Sequence, residues 1–489
     1  MNRRTAAMVV LIVAGFMDLM DTTVVNVALP TMQRGLGASA AQLEWIVGGY
    51  TLGLVGALVL GGRLGDLLGR RSVFLAGVIG FTVASLLAAS APDAAVLIAA
   101  RAVQGVFAGA MVPQVLANVQ VLYSPRERPA VYGLVGFITG TASVIGPVLS
   151  GWLISTDAFG IGWRSIFAIN VPIGALLAVV AAFVVPNSRS EHPSRLDVLG
   201  ALLVTAAVLC LVLPLIDGRQ DHWPIWAWIV LAASPVLFVA FVCWEATVER
   251  RAAATGEGVP LIPLHLFRTR GYVAGSAVNL FFQAGLVGFF LFFTIYLQSA
   301  LEYSPLQAGF SWLGFSLGTL CGSLVAVRLT ASLGRRLVTL GAVMVGGAVV
   351  WLLLAASDPT VGARPDGWDF VGGLGLGGLG MGLLIVPLFD LTLEAVPTAD
   401  AGAASGALST IQQIGGALGV AAIGAVFYSV AGVAPDASSS TAALHAAAWG
   451  CVIAFAAAAA ASLALGGRSS GRAEPVGREV DRMAAPDAG

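Results

Sequence analysis

The sequence predicts an all-α polytopic membrane protein, and three observations lead to this fold class. Hydrophobic residues make up 58% of the 489 residues, whereas charged residues make up only 10%. An ordinary soluble domain carries about 25% charged residues, so this chain cannot cover a water-facing surface. Apolar segments of helical length recur along the whole chain without a long polar interruption. The net charge of −1 offers no basic face to a nucleic acid. The apolar composition makes the lipid bilayer the expected partner.

Fourteen apolar segments have the length of a membrane-crossing helix, which is about 20 residues. The first follows Arg3 and Arg4 and continues to about Pro30 without a small-residue cleavage site, so we interpret it as a retained helix rather than a signal peptide. The segments lie near residues 8–30, 45–62, 73–91, 94–117, 131–154, 165–186, 196–216, 225–246, 272–298, 305–327, 337–356, 369–391, 401–430 and 442–465.

The distribution of arginine predicts the orientation. All 25 positive residues are Arg, and the lack of Lys excludes a Walker A phosphate loop. With fourteen spans, 20 arginines fall on the side of the two termini, 4 fall on the opposite side, and Arg101 lies within a span. Positive residues concentrate in cytoplasmic loops, so both termini are expected in the cytoplasm. The bias toward Ala, Gly and Arg suggests a GC-rich bacterial genome. The expected location is therefore the plasma membrane of a bacterium.

Two segments that lie 265 positions apart are similar. Residues 63–75 and 328–340 are identical at eight of thirteen positions, and each follows the second span of a group. We interpret them as parts of two parallel six-helix halves, an arrangement that transporters use with the substrate site between the halves. The predicted units are a first half (1–187), two inserted helices with linkers (188–260), a second half (261–466) and a disordered tail (467–489).

Three charged side chains fall inside predicted spans: Asp18, Asp21 and Arg101. A charge at the bilayer centre costs about 2.5–3.5 kcal/mol on insertion scales, which indicates a function or a partner. The two carboxylates are three residues apart and can face one cavity, where a shared proton would suit a proton carrier. Arg101 lies at the depth of Asp21 on an oppositely directed span. It is either a switchable partner of that carboxylate or half of a permanent ion pair.

Five segments resemble family signatures. They are Gly62–Arg71 after the second span, Asp21–Pro30 in the first, Arg101–Gly105 in the fourth, Gly140 with Gly146–Gly151 in the fifth, and Trp163–Pro172 at the entry to the sixth. Together they resemble the major facilitator superfamily, and in particular its fourteen-span drug:proton antiporters. The resemblance covers nearly the whole chain except the tail. It implies a major facilitator fold.

The resemblance also implies a conformational latch. In the family, the loop between spans two and three holds the two halves together in the outward-facing state. Here its residues are Gly62, Asp66, Gly69, Arg70 and Arg71. Asp66 is expected to face the start of the thirteenth span near residues 400–402, where helix-end N–H groups favour an anion. The second copy has Ala331 in place of Asp66, so only one strong latch is expected.

The fifth span carries the residues of the antiporter motif, which are Gly140, Gly146, Pro147 and Gly151. Small residues allow close helix contact, and a proline bends a helix. The resemblance implies that this segment seals the proton path, whereas ordinary helix packing is the alternative.

Polar residues inside spans are candidates for the substrate cavity: Asn26, Gln104, Asn279, Gln283 and Gln412. Gln104 lies one turn from Arg101 and is expected to line the same cavity. For the residues in the second half, hydrogen bonds between helices are an equal alternative.

The predicted function is secondary active transport. The protein is expected to export small hydrophobic or amphiphilic compounds, such as drugs and antibiotics, in exchange for protons, and to act as a monomer. We expect no enzymatic activity, catalytic residue, cofactor or metal, because no nucleotide motif is present and the four His lack ligand spacing. A proton-coupled importer and a non-transporting receptor or lipid-handling protein are the alternatives.

The orientation can be tested by labelling. In a variant whose four cysteines are replaced, a single cysteine introduced as Pro475→Cys should react with an impermeant maleimide only after the cells are permeabilised. A matched cysteine introduced as His222→Cys, in the loop predicted outside, should react in intact cells. Labelling of position 475 in intact cells would reverse the predicted orientation.

Overall fold

The structure is a computed structural model of the chain. It describes residues 3–124, 126–157, 160–188, 197–217, 224–255, 260–299, 301, 303, 307, 310–356, 367–394, 396–397, 400–431 and 437–465, so the predicted tail lies outside the described residues. The described part is helical. Its fifteen α-helices are α1 (Arg3–Leu36), α2 (Ala40–Leu68), α3 (Arg70–Ala89), α4 (Ala94–Leu122), α5 (Arg128–Ser155), α6 (Ser165–Ala168), α7 (Asn170–Val184), α8 (Val198–Asp217), α9 (Ile225–Thr255), α10 (Arg270–Ser299), α11 (Leu313–Leu333), α12 (Arg335–Ala356), α13 (Gly367–Glu394), α14 (Ala401–Ala431) and α15 (Ala437–Ser462).

Within the described ranges, thirteen helical stretches are long and apolar enough to cross a membrane. They confirm thirteen of the fourteen predicted spans, and the short α6 joins α7 in a single span, Gly162–Val184. The remaining predicted span coincides with α5, a helix of 28 residues.

Helix ends follow from local chemistry. Ser39 and Gln42 form a capping box at the start of α2, where each side chain accepts a hydrogen bond from the backbone N–H of the other residue, at 3.2 and 2.9 Å. Asp93 caps α4 by accepting from Val96 N at 2.9 Å. Gly69, with φ of 99°, is the single residue that separates α2 from α3. Residues that carry a side chain rarely adopt this backbone angle, so glycine permits the turn.

The segment that was expected to be a loop after the second span is therefore mostly helix. Asp66 lies inside α2, and Arg70 and Arg71 begin α3. The prediction of a loop was wrong. The charged residues end the apolar run, but they do not end the helix, which continues to Leu68 because no residue before Gly69 breaks it.

The two halves pack alike. In the first half α2 packs on α4, α1 on α5 and α3 on α7, and in the second half α11 packs on α13, α10 on α14 and α12 on α15. The repeated segments occupy matching turns, with Gly69 and Gly334 both at positive φ. At these turns Arg70 N donates to Ser188 O just after α7, and Arg335 Nη1 donates to Leu463 O within the turn after α15, at 2.9 and 3.3 Å.

The halves meet through α2 with α14 and through α5 with α11. At one end of the bundle, where α2 turns into α3, a single hydrophobic cluster joins both halves, from Met8 and Leu58 to Val386 and Leu408. Two further clusters are each confined to one half. The bundle is thus closed at the end that carries Gly69, which we call the latch end.

The inserted helices α8 and α9 pack on each other and lie against the junction of the halves. α8 contacts α2 and α14, and Val55, Val208, Phe241 and Ala407 share one hydrophobic cluster. Thr205 Oγ1 also donates to Gly56 O at 3.0 Å. The insertion therefore touches both halves at the seam where they meet.

Candidate functional site

An ion pair lies in the interior of the first half. Asp21 on α1 is 0% exposed and Arg101 on α4 is 1% exposed, and Arg101 Nη1 lies 2.5 Å from Asp21 Oδ2. Gln104 Nε2 and Asn170 Nδ2 donate to the other carboxylate oxygen at 3.1 and 2.7 Å. The carboxylate therefore accepts hydrogen bonds from α4 and α7 while it sits on α1, which ties three helices to one charge.

The guanidinium of Arg101 has further partners. Its Nε donates to Ile46 O at 3.2 Å and its Nη1 donates to Gln104 Oε1 at 2.7 Å. The group lies 4.2 Å from the centroid of the Tyr50 ring and 5.8 Å from that of Phe167. Arginine keeps its proton in proteins, so the permanent charge is stabilised by these dipoles and aromatic faces as well as by Asp21.

Asp18 has a different partner. The Tyr50 hydroxyl donates a hydrogen bond to Asp18 Oδ1, and Asp18 is 6% exposed. The ring of Tyr50 thus contacts Arg101 while its hydroxyl contacts Asp18. The two carboxylates of α1 belong to one buried network in which Tyr50 joins them, and only Asp21 pairs directly with the arginine.

Sequence reasoning did not single out three members of this network: Tyr50, Asn170 and Ser85, whose hydroxyl accepts from Gln104 Nε2 at 2.8 Å. Asn170 could have been found, because it lies in the segment resembling the entry to the sixth span. Tyr50 and Ser85 sit in apolar runs, and nothing in the sequence pattern marks them.

Of the residues predicted to form the latch, Gly62 and Asp66 contact the second half. Asp66 is 0% exposed and accepts hydrogen bonds from Gly402 N at 3.1 Å and Ala403 N at 2.9 Å, the first amides of α14. Arg70 Nη2 donates to the same carboxylate at 2.6 Å. The structure thus places Asp66 at the helix N-terminus where the sequence predicted it, and unpaired helix-end N–H groups favour an anion there.

Glycine permits this contact. A Cβ at Gly62 would overlap the Gly402 carbonyl group and lie 3.0 Å from the Cα of Gly406. The backbones of α2 and α14 therefore approach closely in front of Asp66. Beside them, Arg63 Nη1 lies 3.9 Å from Asp400 Oδ1, which adds a second charge contact across the seam.

A second set of contacts closes the same end through other helices. Gln120 Nε2 on α4 donates to Leu393 O at the end of α13, at 2.5 Å. The Tyr132 ring lies 5.8 Å from the Phe389 ring, and the buried Asp390 interacts electrostatically with Tyr132. Sequence reasoning missed Asp390, a carboxylate inside a predicted span.

The fifth-span motif meets α1. A Cβ at Gly146 would overlap the Thr23 hydroxyl, so glycine is required there. Ser150 Oγ donates to Val24 O at 2.9 Å. Gly151 has open space around its Cβ position, so the expectation of close helix contact at that residue was wrong. The side-chain surroundings of Gly140 and Pro147 lie outside the described residues.

The candidate cavity residues have different surroundings. Gln104 is 0% exposed and bonded within the network, so the expectation that it lines a cavity was wrong. Asn279 donates to Leu408 O at 3.2 Å, which is a bond between helices. Gln283 and Gln412 are half-buried, and the side chain of Asn26 lies outside the described residues.

Comparison with known proteins now assigns the family. The sequence matches the Major Facilitator Superfamily over residues 11–215 and 198–420. The chain belongs to this superfamily. It is a multi-pass membrane transporter rather than an enzyme.

Its relatives include drug and antibiotic efflux proteins. The chain is 39% identical to a probable actinorhodin transporter of Streptomyces coelicolor, over 89% of this chain and 74% of the relative. It is 35% identical to the puromycin resistance protein pur8 of Streptomyces alboniger, over 87% and 82%. It is 30% identical to the tetracenomycin C resistance and export protein of Streptomyces glaucescens, over 86% and 75%. The transporter is therefore related to drug and antibiotic exporters.

Solved structures show the same fold. The human organic anion transporter MFSD10 matches with a TM-score of 0.66 at 15% identity, over 93% of this chain and 99% of that chain. The proton:xylose symporter XylE matches with a TM-score of 0.65 at 15% identity, over 94% of both chains.

The close approach at Gly62 gives a test of the closed end. Gly62→Ala should push α2 from α14, and overpacking of this kind costs about 1–3 kcal/mol. Thiol labelling of Ala404→Cys on α14 should therefore become faster than in the parent transporter. Gly151→Ala is the matched control, because its Cβ has open space. Equal labelling in the Gly62 and Gly151 variants would show that the closed end does not depend on this contact.

The charge on Asp66 gives a second test. Asp66→Asn keeps the shape but weakens hydrogen bonds to a charged acceptor, which are worth about 1.5–3 kcal/mol each. Transport by the purified, monodisperse variant should fall by at least about tenfold. Asp93→Asn, an exposed cap of α4, is the control and should retain transport. Wild-type rates in the Asp66 variant would exclude the latch role.

Proposed function

We propose that this transporter exports small hydrophobic or amphiphilic compounds, including drugs and antibiotics, from the bacterial cytoplasm in exchange for protons. It would act as a monomer in the plasma membrane, with both termini and the latch end in the cytoplasm. The observation that carries the proposal is the completely buried Asp21–Arg101 pair inside a membrane-spanning half.

A carboxylate in this position can exchange partners. Its negative charge is balanced by Arg101 and by the amides of Gln104 and Asn170. A proton on Asp21 would neutralise its carboxylate and so abolish the ion pair with Arg101. Arg101 would keep Ile46 O, Gln104 Oε1 and the Tyr50 ring as partners, so the guanidinium charge remains stabilised when the carboxyl is neutral.

Proton binding therefore has a structural consequence. The charged form of Asp21 holds α1, α4 and α7 together, and the neutral form weakens that connection. Antiport needs one site whose protonation changes the preferred arrangement of the helices. Asp18 joins the network through Tyr50, so a proton on either carboxyl would affect the hydrogen bonds of the whole network.

With the latch end in the cytoplasm, the closed end corresponds to the outward-facing state, in which protons would enter from outside and substrate would leave. The relatives that are named for resistance and export support efflux rather than uptake. The half-buried Gln283 and Gln412 are the proposed polar contacts for substrate in the second half.

Asp21→Asn tests proton coupling. The amide mimics the protonated acid, so substrate binding to the purified protein should persist while proton-driven uptake into inverted vesicles is lost. Asp93→Asn is again the matched control and should transport normally. Concentration of substrate by the Asp21 variant would exclude this residue as the proton carrier, and loss of transport in Asp18→Asn alone would assign the role to Asp18. Proton-driven movement in the opposite direction would identify an importer.

A further inference from the structure

The inserted helices carry a pair of acidic residues, one buried and one half-buried, that the mechanism above does not use. Glu245 on α9 is 0% exposed, and Asp197 immediately precedes α8. A Cβ at Gly200 would lie 2.6 Å from Glu245 Oε1 and would also overlap the Asp197 carboxylate. Both acid groups therefore crowd the same turn of α8.

The two carboxyl groups have different sets of donors. Asp197 accepts from Trp244 Nε1 at 2.8 and 2.9 Å and from Gly200 N at 2.9 Å. Glu245 accepts from two backbone N–H groups, those of Leu261, at 3.2 Å to Oε1, and Ile262. Glu245 Oε2 is buried and has no hydrogen-bond donor among the described residues. The Asp197 carboxylate nevertheless lies within hydrogen-bonding reach of Glu245.

Two ionised carboxylates only accept hydrogen bonds, so close contact between them leaves repulsion and an unsatisfied oxygen. One proton on Glu245 removes the repulsion, because a protonated Glu245 can donate to the Asp197 carboxylate. Glu245 is completely buried whereas Asp197 is half-buried, and burial disfavours a charged carboxylate, so the proton is assigned to Glu245. We propose that Glu245 and Asp197 form a second proton-binding site, built by the inserted helices.

The charges around this site connect it to the latch end. Arg63 on α2 interacts electrostatically with Glu245 as well as with Asp66 and Asp400. Other titratable groups among the described residues include His265, 3.7 Å from Asp400 Oδ2, and Glu249 on α9, 4.0 Å from His265. Loss of the proton from Glu245 would add a negative charge that competes with Asp400 and Asp66 for Arg63. The proton therefore favours the closed latch end.

Infrared spectroscopy of the purified full-length protein tests the proton site without substrate. The carbonyl band of a protonated carboxylic acid should be present at neutral pH and should weaken in Glu245→Gln. It should also weaken in Asp197→Asn, whose amide can donate to an ionised Glu245. Glu249→Gln, one turn further along α9 and partly exposed, is the matched control and should retain the band. An unchanged band in the Glu245 variant, or equal loss in the control, would overturn the proposal.

A second measurement tests the link to the latch, which rests on the proposed function. Labelling of Ala404→Cys by a membrane-permeant maleimide rises with pH in any variant because the thiolate is the reactive form. It should rise more steeply in the parent transporter than in Glu245→Gln. The same pH dependence in both proteins would exclude the proposed effect of Glu245 on the latch end through Arg63. The infrared result stands apart from transport, so failure of the proton site and failure of the antiport mechanism are distinguishable.

Discussion

Charge inside a low-dielectric bundle is the constraint on which the rest of this structure depends. Lipid offers no hydrogen bonds, so an ionised side chain within a span must find its partner in the protein. Asp21 finds Arg101, and Asp66 finds Arg70 and the amides at the start of α14. The Asp21–Arg101 pair and the contact of Asp66 with α14 each join helices that are distant in sequence. Because these charges fix which helices touch, a change in protonation alters the packing and not only the local charge.

Glycine supplies the space that the Asp66 contact needs. The amides of Gly402 and Ala403 reach Asp66 only because Gly62 lets the backbones of α2 and α14 approach. The same sequence motif therefore provides the anion, the space in front of it and the sharp turn at Gly69. In the second copy Ala331 replaces the acid while Gly334 keeps the turn, so the repeat retains the turn and lacks the carboxylate that contacts the facing helix.

Features that depend on one helix and its surroundings were predictable from the sequence. Hydropathy located the spans because lipid selects apolar residues directly, and the matching depth of Asp21 and Arg101 on antiparallel spans predicted that they could meet. Features that depend on tertiary packing were not. Nothing in an apolar run shows that Tyr50 bridges Asp18 and Arg101, or that Gln104 is enclosed. Glu245 lies one residue from the predicted end of its span, where a charge is ordinary, and only the position of Asp197 makes it exceptional.

Helix α4 connects the proton network to the closed end. Near one end it carries Arg101 and Gln104, which hold Asp21. Further along, Gln114 Nε2 donates to Gly61 O at 2.8 Å, directly behind the glycine that faces α14. Gln120 then donates to Leu393 O in the second half. At 1.5 Å per residue, Arg101 and Gln120 are about 28 Å apart. A helix is stiff along its axis, so a shift of α4 that follows the release of Arg101 from Asp21 would disturb the contact with α2 and the contact between the halves together. The Asp21 network and the closed end are therefore connected through α4, and the inserted helices reach the closed end separately, through Arg63 on α2.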